Sequence, residues 1–180
     1  TETLTQLKSR TITDQMANLS TLQEEVVIHI TDMLDIVLLP QAERVLRAGE
    51  TTVLRAFQSY LEGTGYIPRE GRPGDLDLAI DLLEQAVAAD PHYALAFLGL
   101  SQACLKKHQQ TKDLTWLEKA KEAARRAADM SEGLSSVYVV LGTIVKKMGR
   151  DKEAEENFQR ALELDPENYD AAQGLVYIYE

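Results

Sequence analysis

The chain has 180 residues, of which 44% are hydrophobic and 6% aromatic, and its 19 Lys and Arg against 29 Asp and Glu give a net charge of −10. A charge of this sign argues against a nucleic-acid or anionic-membrane partner, because phosphates would be repelled over most approaches. The low aromatic content, together with abundant Ala, Leu and Glu, favours helices.

The sequence predicts no membrane insertion, because a spanning helix needs about 18 uncharged apolar residues in a row. The closest run, residues 26–39, is interrupted by His29, Asp32 and Asp35. No signal peptide is predicted either. Since the chain begins with Thr1 rather than Met, we expect an excerpt of a longer protein, and the compartment, cytoplasmic or periplasmic, stays open.

Residues 1–50 predict two helices that share no repeat with the rest of the chain. A capping box at residues 21–24 opens a helix that runs to about Leu38, and Pro40 begins a short helix that ends near Gly49. Helix 22–38 is apolar on more than one side, which is typical of a buried helix. We expect it to pack on the following helices, to fill a groove of the same chain, or to contact another chain.

Three predicted helix pairs follow, each with small and apolar residues at the three- and four-residue spacing of one helical face. In the pair at residues 135–168, Gly149 separates the helices and Pro166 ends the second. The pairs at about 56–93 and 94–134 are longer. We expect their extra residues between the helices, in REGRPG and KHQQTKDLTW. Residues 169–180 begin a fourth pair and supply one helix.

The third pair resembles the tetratricopeptide repeat, a helix–turn–helix unit of 34 residues. The resemblance implies an all-α fold, a right-handed α-α superhelix of these repeats at 51–180 with an N-terminal helical extension at 1–50. It also implies a protein–protein interaction scaffold that is not an enzyme. The residues that carry the resemblance are Leu141, Gly142, Val145, Gly149, Ala154, Phe158, Ala161 and Pro166.

The whole arrangement is similar to a region of bacterial multidomain signalling proteins. These are serine/threonine kinases and nucleotide cyclases that carry a TolB-like segment followed by tetratricopeptide repeats. The similarity lies in three strings in order: TITDQMANLSTLQEEVV, AFQSYLEGTGYI and TKDLTWLEKA. It implies a non-catalytic region of such a protein or, alternatively, a dimerisation element for attached kinase or cyclase domains.

In this family, a fixed set of positions on the first helix of each unit faces a concave groove. The resemblance therefore implies a groove for a protein or peptide ligand. Tyr60 and Thr64 stand where some members carry a Lys and Asn clamp for a C-terminal carboxylate, so binding of chaperone tails is disfavoured. The apolar strip and bordering lysines fit an amphipathic helix or extended peptide with some negative charge. The implied groove residues are Phe57, Tyr60, Thr64, Ile67, Leu95, Leu98, Gln102, Leu105, Lys106, Ser136, Val139, Thr143, Lys146 and Lys147.

Two alternatives for these surfaces stay open. Helix 22–38 can fill the groove itself, which would leave no ligand site. The last helix, at 169–180, exposes apolar residues with no polar capping helix after it, although repeat arrays normally need such caps. An uncapped end can pair with its own copy, so a homodimer through the C-terminal half unit is the other alternative. The apolar residues concerned are Leu175, Tyr177, Ile178 and Tyr179.

The sequence predicts no catalytic residues, no metal site and no cofactor. His29, His92 and His108 are scattered and form no ligand pattern. The single cysteine, Cys104, excludes an internal disulfide and a cysteine-based zinc site, and we expect it in the core.

Overall fold

The computed structural model describes residues 51–67 and 74–179, which form seven α-helices and no strand. This confirms the all-α prediction for that part of the chain, and none of its helices is long and apolar enough to cross a membrane. The predicted helices of residues 1–50, with helix 22–38, and most of REGRPG lie outside the described residues. The helices are α1 (Leu54–Tyr66), α2 (Asp75–Ala89), α3 (Ala94–Thr111), α4 (Thr115–Met130), α5 (Ser135–Lys147), α6 (Asp151–Leu164) and α7 (Tyr169–Tyr179).

The helices pack as hairpins, α1 with α2, α3 with α4 and α5 with α6, and each hairpin packs on the next. The first helices also contact one another in series, α1 with α3, α3 with α5 and α5 with α7. They therefore line one face of the stack, as expected for an array in which each pair buries its apolar face against a neighbour.

The turns between successive hairpins repeat the same chemistry. Asp90 ends α2, and its Oδ1 accepts a hydrogen bond from the His92 N–H at 2.9 Å. Asp165 ends α6, and its Oδ1 accepts a bond from the Glu167 N–H at 3.3 Å. Each Asp-Pro thus forms a local turn that satisfies backbone groups where a proline prevents further helix.

Two large side chains separate successive first helices by wedging between glycines. Phe158 on α6 lies between Gly142 on α5 and Gly174 on α7, where an added Cβ would come within 2.7 and 2.5 Å of its ring. Leu83 on α2 makes the same kind of contact with glycines on α1 and α3, at 2.8 and 3.0 Å. The glycines are required because the helices approach these side chains more closely than any Cβ allows.

The extra residues of the second hairpin form helix rather than the expected loop. α3 has 18 residues against 13 in α1 and in α5, so it extends about 7 Å further at 1.5 Å per residue. Only residues 112–114 connect it to α4. Lys112 takes a left-handed φ of 60°, and the Asp113 carboxylate accepts the Thr115 N–H at 2.9 Å. The expectation for KHQQTKDLTW was wrong: its first half, to Thr111, continues α3, where Lys107 pairs with Asp77 on α2 at 2.5 Å.

Candidate functional site

A cavity of about 670 Å³ lies between α5 and α7, on the face lined by the first helices. We call it the α5–α7 furrow. Half-buried Val139 and Thr143 on α5 lie along it, above the buried Phe158 ring. The furrow thus joins an apolar floor to polar walls, which is the usual make-up of a ligand site. Its lining residues are Gln109, Val139, Thr143, Lys146, Lys147, Phe158, Asp170, Gln173, Gly174 and Tyr177.

Hydrogen bonds at both ends hold α5 and α7 side by side. At the helix starts, Asn168 Nδ2 donates to Ser135 Oγ at 3.2 Å. Near the opposite ends, Lys146 Nζ donates to the Tyr177 carbonyl at 2.6 Å. The two helices are therefore parallel and nearly level, and the furrow runs along them.

The three lysines expected beside the groove differ in how far their charges are already engaged. Lys106 Nζ donates to the Ile67 carbonyl at 2.7 Å, just past the end of α1. Lys146 holds the Tyr177 carbonyl and lies 3.9 Å from Asp151. The Lys147 side chain is exposed and makes no hydrogen bond or ion pair to any residue in 51–67 or 74–179. Of the three lysines, Lys147 is therefore the one whose charge no described residue engages.

The structure gathers Val139, Thr143, Lys146 and Lys147 in the furrow, but it places other predicted groove residues differently. Leu98 and Leu105 are only 7% and 8% exposed and belong to the main core, and Phe57 is buried in a second cluster. The strip expected to be open along α1 and α3 is therefore largely closed by packing within the chain. The half-buried members are Tyr60, Thr64, Ile67, Leu95, Lys106 and Ser136, and Gln102 is exposed.

Besides Phe158 and Gly174, four lining residues lie outside the predicted groove set, although Tyr177 was named for the apolar C-terminal end. The spacing that selects 136, 139 and 143 on α5, carried one unit further, selects Asp170, Gln173 and Tyr177 on α7. The repeat pattern therefore contains the signal for these three. Gln109 lies in the extra turn of α3, beyond the length of a standard unit, so no repeat position predicts it.

The outer face of α7 is a second exposed surface. Val176 and Tyr179 are 53% and 68% exposed, and the Tyr179 hydroxyl donates to the Glu155 carboxylate. Leu175 and Ile178 instead pack inward on the cluster around Phe158, while Tyr177 lies in the furrow. The apolar end expected from the sequence is thus smaller than the pattern suggests.

Cys104 lines a separate crevice of about 340 Å³, formed by α2, α3 and α4. Its thiol is buried, and burial raises its pKa from 9.0 to about 11, so the reactive thiolate is scarce near neutral pH. In the described part of the chain, no group of three His, Cys, Asp or Glu side chains is placed to hold a metal ion.

Several solved structures share this fold. The tetratricopeptide repeat (TPR) domain of Arabidopsis OM64 is 18% identical to this chain, with a TM-score of 0.61, and the match covers 69% of this chain and 94% of that one. The first repeat domain of Spaghetti (RPAP3), bound to HSP90 peptide SRMEEVD, is 22% identical, with a TM-score of 0.61 over 71% and 92%. MamA is 18% identical, with a TM-score of 0.59 over 80% and 85%. Curated proteins give no significant match.

The sequence itself matches the tetratricopeptide repeat in two adjoining segments. One covers residues 70–134, which contain α2 of the first hairpin and all of the second hairpin, and the other covers residues 135–168, the third hairpin. Together they span more than half of the chain, and the stacked helices agree with them. The chain belongs to the tetratricopeptide repeat family.

Proposed function

We propose that this protein is an interaction scaffold that binds an extended peptide segment of a partner protein in the α5–α7 furrow. The observation that carries the proposal is the furrow itself, a cavity of about 670 Å³ with an apolar floor and a cation, Lys147, that pairs with no acidic group in the described part of the chain. Two neighbours of the same fold, the Spaghetti (RPAP3) domain and the second domain of human RPAP3, are described with bound HSP90 and HSP70 peptides. Those ligands belong to those proteins, and they support peptide binding as the class of function.

The ligand that suits this furrow carries apolar side chains and an acidic residue. Val139 and Thr143 offer apolar surface, and Gln173 offers an amide that can pair with peptide backbone groups. An acidic ligand side chain near Lys147 would form an ion pair that Lys147 does not make with any residue in 51–67 or 74–179, which favours acidic over basic segments.

The test is selection of a phage-displayed random peptide library on the full chain, followed by fluorescence anisotropy with the enriched peptides. Gln173→Trp fills the furrow and Lys147→Glu reverses its charge, and we expect both to weaken binding at least tenfold. Gln159→Trp and Lys152→Glu make the same changes at exposed positions of α6 and leave affinity unchanged. An empty selection, or equal binding to all four variants, overturns the proposal.

The chaperone peptide SRMEEVD serves as a specificity arm in the same assay. Tyr60 and Thr64 replace the clamp residues of chaperone-binding members, and the Thr64 hydroxyl is already bonded to the Tyr60 carbonyl at 2.8 Å. We therefore expect no measurable binding of SRMEEVD. Binding as tight as that of the selected peptides would contradict the assignment.

We further propose that the chain is the non-catalytic repeat region of a bacterial signalling protein. The support is the ordered similarity of three strings, of which AFQSYLEGTGYI lies on α1 and TKDLTWLEKA spans the α3–α4 turn. The test is the coding sequence upstream of Thr1: a kinase or cyclase domain in the same frame agrees with the proposal, and a free-standing adaptor contradicts it.

The second candidate function is dimerisation through α7, which is favoured by the exposed Val176 and Tyr179. Light scattering of the full chain at micromolar concentration distinguishes a dimer from the 20.1 kDa monomer. A dimer that Val176→Lys dissociates supports this candidate. A monomer mass for the wild-type chain removes it.

A further inference from the structure

We propose that the α5–α7 furrow selects peptides by two opposite charges spaced about five residues apart, with an acidic residue at Lys147 and a basic residue at Asp170. This inference rests on the proposed function and names its ligand class. It follows from unpaired charges of opposite sign at the two ends of one furrow, together with the distance between those ends.

The spacing comes from the register of the two helices. Lys147 ends the 13-residue α5, whereas Asp170 is the second residue of α7. Asp170 is the repeat equivalent of Ser136 on α5, which stands eleven positions before Lys147, so the two charges lie about 16 Å apart along the furrow at 1.5 Å per residue.

Neither charge is neutralised by the part of the chain that the structure describes. Lys147 and Asp170 are both exposed and belong to no ion pair or hydrogen bond between side chains there. Asn168 already caps the start of α7, where its Oδ1 accepts the Ala171 N–H at 3.0 Å, so the Asp170 carboxylate is left for another partner. A ligand with matching charges therefore meets attraction at both ends.

We infer an extended ligand, for which about five residues span 16 Å at about 3.3 Å per residue. A helical ligand would need about eleven residues for the same distance, at about 1.5 Å per residue. The spacing of the two charges along the ligand sequence therefore distinguishes the two forms.

The extra turn of α3 contributes one residue, Gln109, to the lining of the furrow. Gln109 projects from this turn into the lining, and its amide can donate to a carboxylate or pair with the peptide backbone. The turn is anchored on both sides, by the Lys107–Asp77 ion pair and by a 2.8 Å contact between His108 Nδ1 and the Asp113 carbonyl. Gln109 therefore stands on a fixed wall beside the acidic residue of the ligand.

The test uses fluorescein-labelled peptides with one Asp and one Lys separated by about two, five or eight positions of alternating Val and Ser. We expect the tightest binding to the full chain at the middle spacing. Double-mutant cycles then pair each peptide charge with each protein charge. We expect the effects on affinity of peptide Asp→Asn and Lys147→Gln to be coupled, and likewise those of peptide Lys→Gln and Asp170→Asn. Each coupling should be about two- to fivefold in the dissociation constant, the range of exposed ion pairs.

Two further results decide the inference. First, we expect no coupling in the crossed pairs, which combine peptide Asp with Asp170 and peptide Lys with Lys147. Second, we expect Gln109→Ala to weaken peptide binding, whereas Gln110→Ala, at the neighbouring exposed position, leaves it unchanged. Affinity independent of spacing, or equal coupling in the crossed pairs, overturns the charge-spacing inference and leaves peptide binding intact. If neither these peptides nor any library peptide binds, the proposed function fails and this inference fails with it.

Discussion

Replacing Gly142 by alanine tests whether Phe158 is a wedge between first helices. The new Cβ would lie 2.7 Å from the nearest atom of the Phe158 ring. That ring is buried, and Gly174 stands on its other side, where an added Cβ would also lie only 2.5 Å from the ring. Because the ring is enclosed on both sides, we expect α5 and α7 to move apart rather than the ring to turn away.

The size of the effect is the difference between two opposing contributions. Overpacking of a core that cannot relax costs about 2–3 kcal/mol. Alanine in place of glycine inside a helix raises the free energy of unfolding by about 1 kcal/mol, because alanine has the higher helix propensity. The free energy of unfolding should therefore fall by about 1–2 kcal/mol, which for a chain of this size lowers the Tm by roughly 3–6 °C.

The assay is thermal and urea unfolding followed by circular dichroism, with Gly65→Ala as the matched control. Gly65 also lies in a helix, α1, but a Cβ there meets nothing within 4 Å, so alanine should raise stability. Adding Phe158→Leu to Gly142→Ala should cost less than the sum of the two single changes by about 1 kcal/mol. If Gly142→Ala stabilises the protein as much as Gly65→Ala does, the wedge interpretation is refuted.

Three further predictions concern stability. Glu153→Gln should lower the free energy of unfolding by about 1–2 kcal/mol, because the buried Lys121 ammonium, which lies 3.6 Å from Glu153, loses its carboxylate partner. Urea titration measures this change, with the exposed Glu156→Gln as the control. A change above about 0.5 kcal/mol in the control would contradict the explanation. Asn168→Ala removes both the cap of α7 and the bond to Ser135, so it should cost about 1–2 kcal/mol and speed amide exchange in α7 before other helices. Because burial raises the pKa of Cys104 to about 11 from 9.0, unfolding releases a proton above pH 9, and stability should fall between about pH 9 and 11. Cys104→Ala should flatten that part of the stability–pH curve, and an unchanged slope would show that other groups cause it.

The third hairpin was predictable because its residues repeat a pattern that packing enforces. Gly142, Phe158 and Ala161 fill positions where helices touch, so their spacing reports the fold. The turn of α3 was not predictable in the same way. The repeat pattern places the extra residues between the helices, whereas residues 107–111 continue α3, and Lys107 there contacts Asp77, thirty positions away in sequence.

The site was predictable only in part, because a residue's position in the repeat indicates which way its side chain points but not how much open space lies beside it. Val139 and Lys147 face the furrow as their positions imply. Leu98 and Leu105 hold the positions on α3 that Val139 and Lys146 hold on α5, yet both are buried in the main core. Tertiary packing sets the distance between neighbouring first helices, and the sequence pattern of one repeat unit does not predict that distance.

The most direct test of the central claim is an amide chemical-shift titration of the full chain with a peptide selected from the library. The account predicts that the shifted resonances cluster on α5 and α7, at Val139, Thr143, Lys147 and Gln173, and extend to Gln109. Resonances on the outer helices, such as Arg126 on α4 and Lys152 on α6, should stay in place. Shifts confined to α4 and α6, with α5 and α7 unaffected, would contradict the assignment of the furrow as the binding surface.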